Sequence, residues 1–291
     1  MQNYKPSGKF SPLSFIYFIV TTIIALPILG LIYAYLLWYI PIVYINFLIT
    51  IGYACSVGFI INIFAISFGK VRNPFLGAFF GFLGAFFALY FHYAVWVDLV
   101  INSGEVIGNS RLGITISNIK FLDVFALATQ PQLLLDYILE INKIGTWGIR
   151  SATVSGTFLY VIWAIEALVV FVISVVVNYS GTKDPFCELE NAWYKSQKLP
   201  KFNYIDDKIT LLKAISNSDS KAFFELEKIE NEDSDHSIFD LYSAPKNNDH
   251  YLTITNKLAK INKKGNLDFE SEEVTQFLRI NGVIRNLLLE K

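Results

Sequence analysis

Hydrophobic and polar positions divide the chain into two unlike parts. From Phe10 to Gly69 there is no Asp, Glu, Lys, Arg or His, and apolar and aromatic residues fill most positions. A hydrocarbon layer about 30 Å thick takes roughly 20 helical residues to cross, so this run is long enough for two crossings and a tight return. After residue 181 the apolar positions form short groups between charged residues, a pattern that is typical of a water-soluble domain.

Breaks in the apolar pattern predict four transmembrane helices. Pro41 follows Trp38 and Tyr39; aromatic rings favour the headgroup level and proline suits a helix start, so we expect a turn there. Lys70 and Arg72 form a short basic loop before the third apolar run. Within the membrane region 1–181, the predicted spans cover about residues 14–37, 43–68, 75–96 and 157–177.

Residues 98–156 are predicted to form an extracytoplasmic segment. Residues 113–119 alternate as a short strand does. Residues 131–144 favour an amphipathic helix, with proline at its start and glycine just after its end. Four of its polar residues fall in one narrow stripe, namely Gln132, Asp136, Glu140 and Lys143. Because the rest of its surface is apolar, we expect the helix to lie in the membrane interface or to pack on the spans or on another subunit.

The distribution of basic residues indicates the orientation. With four spans, the basic residues of the termini and short loops fall on one side of the membrane. They are Lys5, Lys9, Lys70, Arg72 and Lys183. Short cytoplasmic loops are enriched in Lys and Arg, so we expect both termini in the cytoplasm and the protein in the bacterial inner (plasma) membrane.

Residues 182–291 are predicted to form a cytoplasmic α+β domain. Helices are expected at 207–217, 219–230, 271–280 and 283–290, and strands at 238–243, 251–261 and 267–269. The predicted fold class is therefore an α-helical polytopic membrane protein with four transmembrane helices and a C-terminal soluble α+β domain. This domain has 16 Lys and Arg against 19 Asp and Glu. Nucleic acid is not an expected partner, because its phosphates require a positive surface.

The sequence has none of the better-marked catalytic motifs. GxxxxGK[ST], HExxH, CxxC and GxSxG are all absent, so an enzyme is the least supported class, and neither a metal nor a cofactor is predicted. Cys55 and Cys187 are expected to be free thiols. His236 and His250 stand alone in polar surroundings, and we expect them at the surface rather than on a metal.

Glu166 is the main candidate for chemistry inside the membrane, because it is the one ionisable residue between Arg150 and Lys183. An ionised carboxylate near the middle of a span costs at least a few kcal/mol. Two interpretations follow. Glu166 is either a neutral carboxyl group that hydrogen-bonds to a neighbouring helix, or a group that handles an ion, a proton or a ligand.

Other polar residues of the spans are weaker candidates. His92 is either an interfacial histidine or a functional one. Asn46, Thr50 and Tyr53 share one face of the second span, where they either line a water-filled path or bond to a neighbouring helix. A third group of small residues allows close helix packing, namely Gly77, Gly81 and Gly84.

The expected function is that of a non-enzymatic membrane anchor, scaffold or regulatory component that presents the cytoplasmic domain. Its expected partners are the lipid bilayer and either a second copy of the chain or another membrane protein. The alternative is a small oligomeric channel or transporter that uses Glu166 and the polar face of the second span. Four spans and the absence of an inverted repeat weigh against this alternative.

Overall fold

The structure is a computed structural model that describes residues 2–40, 43–104, 117–145, 147–149, 152–217, 219, 226–229 and 233–291. The chain forms two compact units. One unit contains Gly8–Lys183 and is mainly helical. The other contains Met1–Ser7 together with Asp184–Lys291 and is built around a β-sheet.

Six helices make up the described part of the helical unit. In chain order they are α1 (Leu13–Tyr39), α2 (Val43–Ile61, continued as a π-helix over Asn62–Phe68), α3 (Pro74–Ile101, followed by a 3-10 turn at Asn102–Gly104), α4 (Phe121–Thr129), α5 (Pro131–Ile144) and α6 (Gly156–Gly181). A β-hairpin of β1 (Trp147–Ile149) and β2 (Ala152–Val154) connects α5 to α6. By length and composition, α1, α2, α3 and α6 are able to cross a membrane.

Local sequence explains irregular and terminal features of these helices. In α1, the segment Thr21–Ala25 is π-helical and ends two residues before Pro27, whose missing N–H removes a helical hydrogen bond. At the start of α3, the side chain of Asn73 accepts hydrogen bonds from the backbone of Phe75 and Leu76, at 3.0 and 3.1 Å. Pro74 fills the first helical position, which needs no N–H donor.

Contacts at the helix ends show that α1, α2, α3 and α6 alternate in direction. The backbone N–H of Arg72 donates to the carbonyl of Lys9 over 2.8 Å, which joins the α2–α3 turn to the chain just before α1. The start of α3 at Gly77 lies against Thr182, just after α6. We call this end the basic end, because it contains Lys9, Lys70, Arg72 and Lys183.

The opposite end of the bundle is defined here by Asp98 and is called the Asp98 end. The side chain of Asp98 accepts a hydrogen bond from the backbone of Lys120 over 2.8 Å. The hydroxyl of Tyr39, the last residue of α1, donates to the carbonyl of Ser117 over 2.9 Å. These contacts attach the segment that contains α4 and α5 to the ends of α1 and α3.

An antiparallel sheet forms the centre of the second unit. Its strands are β5 (Lys195–Lys198), β6 (Phe202–Asn203), β7 (His236–Ser243), β8 (His250–Ile261) and β9 (Leu267–Ile280), in the order β5-β7-β8-β9 with β6 beside β7. A separate hairpin consists of β3 (Phe186–Cys187) and β4 (Ala192–Trp193). Helices α7 (Lys208–Ser216) and α8 (Gly282–Glu290) complete the unit. Fully covered residues of its core include Phe202, Phe239, Leu252 and Ile284.

The first residues of the chain extend this sheet. Asn3 forms a β-bridge with Leu278, and the backbone N–H of Tyr4 donates to the carbonyl of Phe277 over 2.9 Å. The sequence predicts a membrane region over residues 1–181, whereas Met1–Ser7 belongs to the compact unit of the sheet. The physical reason is that β9 has an unpaired edge whose backbone groups this segment satisfies.

Several local predictions differ from the structure. The helix predicted at 271–280 is wrong, because this segment is the second half of β9 and pairs with β8. The helix predicted at 219–230 falls mostly outside the described residues, and 226–229 within it are not helical. Of the strand predicted at 113–119, residues 113–116 lie outside the described part, and 117–119 have no regular structure.

Other predictions agree with the structure. Helix α5 has the predicted bounds, and the strands expected at 238–243 and 251–261 are present in β7 and β8. The surface position expected for both remaining histidines is wrong, because His236 and His250 are buried. Each of them begins a strand that faces the core of the sheet unit.

Candidate functional site inside the helical bundle

Tyr33 of α1 is the centre of a polar and aromatic cluster in the bundle. Its ring stacks on the ring of Tyr53, with centroids 4.1 Å apart and an angle of 4° between the planes. The ring of His92 lies 4.5 Å away on centroids. The hydroxyl oxygens of Tyr33 and Thr50 are 2.8 Å apart. Three of the four long helices therefore meet at this side chain.

The polar face of α2 is used for hydrogen bonds. The hydroxyl of Thr50 donates to the carbonyl of Asn46 over 2.9 Å, so the hydroxyl of Tyr33 donates to Thr50. The hydroxyl of Tyr53 donates to the carbonyl of Ala88 in α3 over 2.8 Å. Thr50 and Tyr53 thus bond to neighbouring helices, which is one of the two interpretations of this face. The side-chain oxygen of Asn46 is buried and has no hydrogen-bond partner among the described residues.

His92 lies where α1 and α3 approach most closely. His92 is 5% exposed, and its ring lies beside the backbone of Gly30. A Cβ atom at Gly30 would lie 3.0 Å from the backbone nitrogen of His92, so a larger residue would push the helices apart. Nδ1 of His92 has no partner in the part of the chain that the structure describes. His92 is therefore a core residue of the bundle.

Glu166 of α6 lies half-buried beside this cluster. Its carboxyl group interacts electrostatically with the hydroxyls of Tyr33 and Tyr93. The ring of Tyr93 packs against Trp163, with centroids 6.1 Å apart. Within the described ranges, the carboxyl group of Glu166 forms no hydrogen bond and no ion pair. An unpaired carboxyl group inside a bundle is free to exchange a proton or to bind a cation.

The structure thus groups most of the polar residues that the sequence singled out. Thr50, Tyr53 and His92 surround Tyr33, and Glu166 interacts with that residue from α6. Asn46 lies one helical turn from Thr50 and reaches it through its backbone carbonyl. Tyr33 itself was missed. Its position far inside an apolar run could have identified it as a site residue, because a buried tyrosine hydroxyl requires a hydrogen-bond partner.

The three glycines of α3 pack helices within one chain. A Cβ atom at Gly77 would lie 2.7 Å from the carbonyl oxygen of Asn178, and one at Gly81 would lie 2.6 Å from that of Ser174. Gly84 instead faces Ile61 of α2, whose side chain fills the space of its missing Cβ. These close approaches bring α3 into backbone contact with α6 and into side-chain contact with α2.

Two polar residues of α6 strengthen the same contacts and were not identified from the sequence. The hydroxyl of Ser174 donates to the carbonyl of Gly81 over 2.9 Å. The side-chain amide of Asn178 donates to the carbonyl of Gly58 over 3.3 Å and to that of Ser174 over 2.8 Å. Their spacing of four residues on one helix face was the available signal.

Comparisons of the chain with protein-family models, with curated proteins and with solved structures gave no match. Across the described residues, no group of three or more His, Cys, Asp or Glu side chains could hold a metal ion. Both cysteines are free.

Proposed function

We propose that the protein is an integral membrane protein without enzymatic activity, in which the helical bundle anchors the sheet unit and the whole acts as a scaffold or regulatory component. The observation that supports this proposal is that polar side chains within the bundle form hydrogen bonds between helices. The hydroxyls of Tyr53 and Ser174 donate to carbonyls of neighbouring helices, and the hydroxyl of Thr50 accepts from Tyr33 of α1. Helices that are cross-linked in this way, with glycines at their contacts, form a rigid support and leave little polar surface for a path.

The proposed topology has four crossings, with the basic end in the cytoplasm of a bacterial cell. Short cytoplasmic loops are enriched in Lys and Arg, and Lys9, Lys70, Arg72 and Lys183, which flank the long helices or lie in the short loop between them, are found at one end of the bundle. Both chain segments that continue from this end, Met1–Ser7 and Asp184–Lys291, belong to the sheet unit. An even number of crossings is what lets both segments reach the same side of a membrane.

The proposed partners are lipid and protein. Ile23, Leu48 and Leu168 are among the large apolar side chains that the chain itself leaves uncovered, at 66%, 65% and 61% exposure, and we assign them to lipid contact. Gly77 and Gly81 are occupied by contacts within the chain. A partner protein, or a second copy, would therefore use another surface than this glycine stripe.

A combined fractionation and flux measurement tests the proposal. The full chain should stay in the membrane fraction after an alkaline wash. Vesicles that contain the purified protein should have the same proton and cation permeability as protein-free vesicles. A flux that depends on the protein would contradict the anchor function.

The alternative is a small oligomeric channel or transporter that uses Glu166 and the polar face of α2. The observation that favours it is the carboxyl group of Glu166, which has no hydrogen bond within the described residues. Glu166→Gln keeps the side-chain volume and removes only the charge. If the alternative holds, the native protein gives a pH- or cation-dependent flux and this variant loses it with its fold intact. If the anchor proposal holds, neither protein gives a flux.

A further inference from the structure

Helix α4 lies alongside the last part of α3 and runs in the opposite direction. At its start, the backbone N–H of Lys120 donates to the side chain of Asp98 over 2.8 Å. At its other end, the carbonyl of Ala128 accepts from the hydroxyl of Tyr90 over 2.9 Å. Asp98 and Tyr90 are about 12 Å apart along α3, and Lys120 and Ala128 are the same distance apart along α4. Helix α4 therefore runs from the Asp98 end towards the middle of the bundle.

Helix α5 returns to the Asp98 end. Gln130 is the single residue between α4 and α5. Near the end of α5, the side chain of Asn142 donates to the carbonyl of Gly156, the first residue of α6, over 3.2 Å. Pro131, at the start of α5, lies about 16 Å from Asn142 along the helix axis. The turn at Gln130 is thus the deepest point of a helical hairpin.

The turn of this hairpin lies at the same level of the bundle as Glu166. Helix α6 begins at Gly156, and Glu166 follows about 15 Å further along the axis. Trp163 of α6 packs on Tyr93 and Trp96 of α3, which fixes the register of these two helices at that level. Both Gln130 and Glu166 therefore lie roughly half a bilayer thickness from the Asp98 end.

The polar stripe of α5 is exposed, since the helix buries its opposite face, including Leu134 and Ile141. Gln132 lies near the turn, and Asp136, the deepest charged residue of the stripe, lies about 9 Å of helix from Asn142. Within the stripe, the amide of Gln132 donates to Asp136 over 3.0 Å and the amine of Lys143 donates to Glu140 over 2.7 Å. Charged side chains below the headgroup level are not stable against lipid tails. The stripe must face either water or a polar surface of another protein.

Charge and symmetry argue against a second copy on this stripe. Identical subunits in a membrane are related by an axis along the membrane normal, so a two-fold contact places equivalent residues at the same depth, and residues next to the axis face their own equivalents. Asp136 would then lie beside Asp136 of the other copy, and Glu140 beside Glu140. Like charges at the same low-dielectric depth repel each other, which favours water over a second copy.

We propose that α4 and α5 form a re-entrant hairpin and that the polar stripe of α5 lines an aqueous cleft, open at the Asp98 end and reaching the depth of Glu166. The stripe has two carboxylates against one amine, so the cleft attracts protons and small cations rather than anions. The apolar side of the hairpin faces lipid, with Phe125 of α4 68% exposed. This inference rests on the proposed crossing of the membrane by the four long helices.

Labelling of single cysteines from the outside tests the cleft. In the full chain, Cys55 and Cys187 are first replaced by alanine. Single cysteines are then introduced at Gln132, Asp136 and Glu140 in the stripe. Three control positions are Asn118 in the exposed segment before α4, Phe125 on the apolar side of the hairpin, and Leu168 on α6. Intact cells are treated with a charged, membrane-impermeant thiosulfonate, and the labelled fraction is measured on purified protein.

The expected result is complete labelling of Gln132→Cys, Asp136→Cys, Glu140→Cys and Asn118→Cys, and no labelling of Phe125→Cys or Leu168→Cys. If Asn118→Cys is labelled and the stripe positions are not, the stripe is covered by protein and the cleft is refuted. If Phe125→Cys is labelled as fully as Asp136→Cys, the hairpin lies in water and is not re-entrant. Labelling of Leu168→Cys would refute the membrane crossing itself, and with it the proposed anchor function.

Discussion

At the residue scale, glycine determines how closely the helices approach. Gly81 has the carbonyl oxygen of Ser174 and the backbone of Val175 within 3 Å of the position of a Cβ atom. Gly52 of α2 has nothing within 4 Å of that position. Two glycines of the same bundle therefore have opposite structural roles.

This difference predicts opposite effects of one substitution. Gly81→Ala should lower the free energy of unfolding by about 1–3 kcal/mol, because α3 and α6 must separate to admit the methyl group. Gly52→Ala should leave it unchanged or raise it, since glycine inside a helix is about 1 kcal/mol less favourable than alanine. Unfolding of the purified protein by SDS, followed by circular dichroism, measures both. Equal effects would refute the close contact at Gly81.

A second residue-scale prediction concerns His250 in the sheet unit. Burial and the nearby positive charge of Arg285 lower the pKa of His250 below its usual value. The unfolded chain binds a proton at this residue near pH 6.5 and the folded chain resists it, so stability is lost as the pH falls below about 6.5. His250→Gln should show a smaller fall in the free energy of unfolding between about pH 7 and about pH 5. Identical pH dependence in both proteins would mean that folding does not lower the pKa of His250.

At the element scale, the sequence pattern predicts an element well when the structure of that element depends on residues that are neighbours in the sequence. The bounds of α5 follow from proline, glycine and the polar stripe, all of which are local signals. The sequence of segment 271–280 also suits a helix, but the segment forms a strand because it pairs with β8. This pairing is not visible in the local sequence pattern. The attachment of residues 2–4 to β9 is non-local in the same way.

The two faces of α5 predict unequal effects of substitution. Leu134 is 2% exposed, so Leu134→Asp places a charge in apolar packing and should cost several kcal/mol. Asp136→Asn on the exposed stripe keeps the shape of the side chain and should change stability little. The folded yield after detergent extraction and size-exclusion chromatography compares the two variants. Similar yields would refute the assignment of faces.

Residues 1–7 are expected to stabilise the sheet unit. We expect residues 184–291 to be soluble and to unfold cooperatively when expressed without the bundle. Residues 1–7 should raise the midpoint of thermal unfolding when a flexible linker joins them to this unit, because they pair with β9 and place Tyr4 against Tyr251, 5.2 Å apart on ring centroids. Tyr4→Ala in the linked protein is the matched control and should lose part of that gain. No gain from the native segment would contradict its pairing with the sheet.

At the scale of the whole molecule, length and composition were sufficient to locate the four long helices, because a membrane requires long apolar runs. The same argument singled out Glu166 and His92, since ionisable residues are rare in such runs. It did not predict that Thr50, Tyr53 and His92 meet at Tyr33. That meeting depends on the register of three helices, which close contacts at Gly30 and Gly84 between residues distant in sequence help to set.

The most direct test of the account is the side of the membrane on which each end of the bundle lies. In a cysteine-free background, Asn118→Cys reports on the Asp98 end and Lys246→Cys on the sheet unit. The proposed topology predicts that an impermeant maleimide labels Asn118→Cys in intact cells, and labels Lys246→Cys only after the membrane is permeabilised. The reverse pattern would contradict the orientation, and labelling of both positions from the same side would contradict the four crossings.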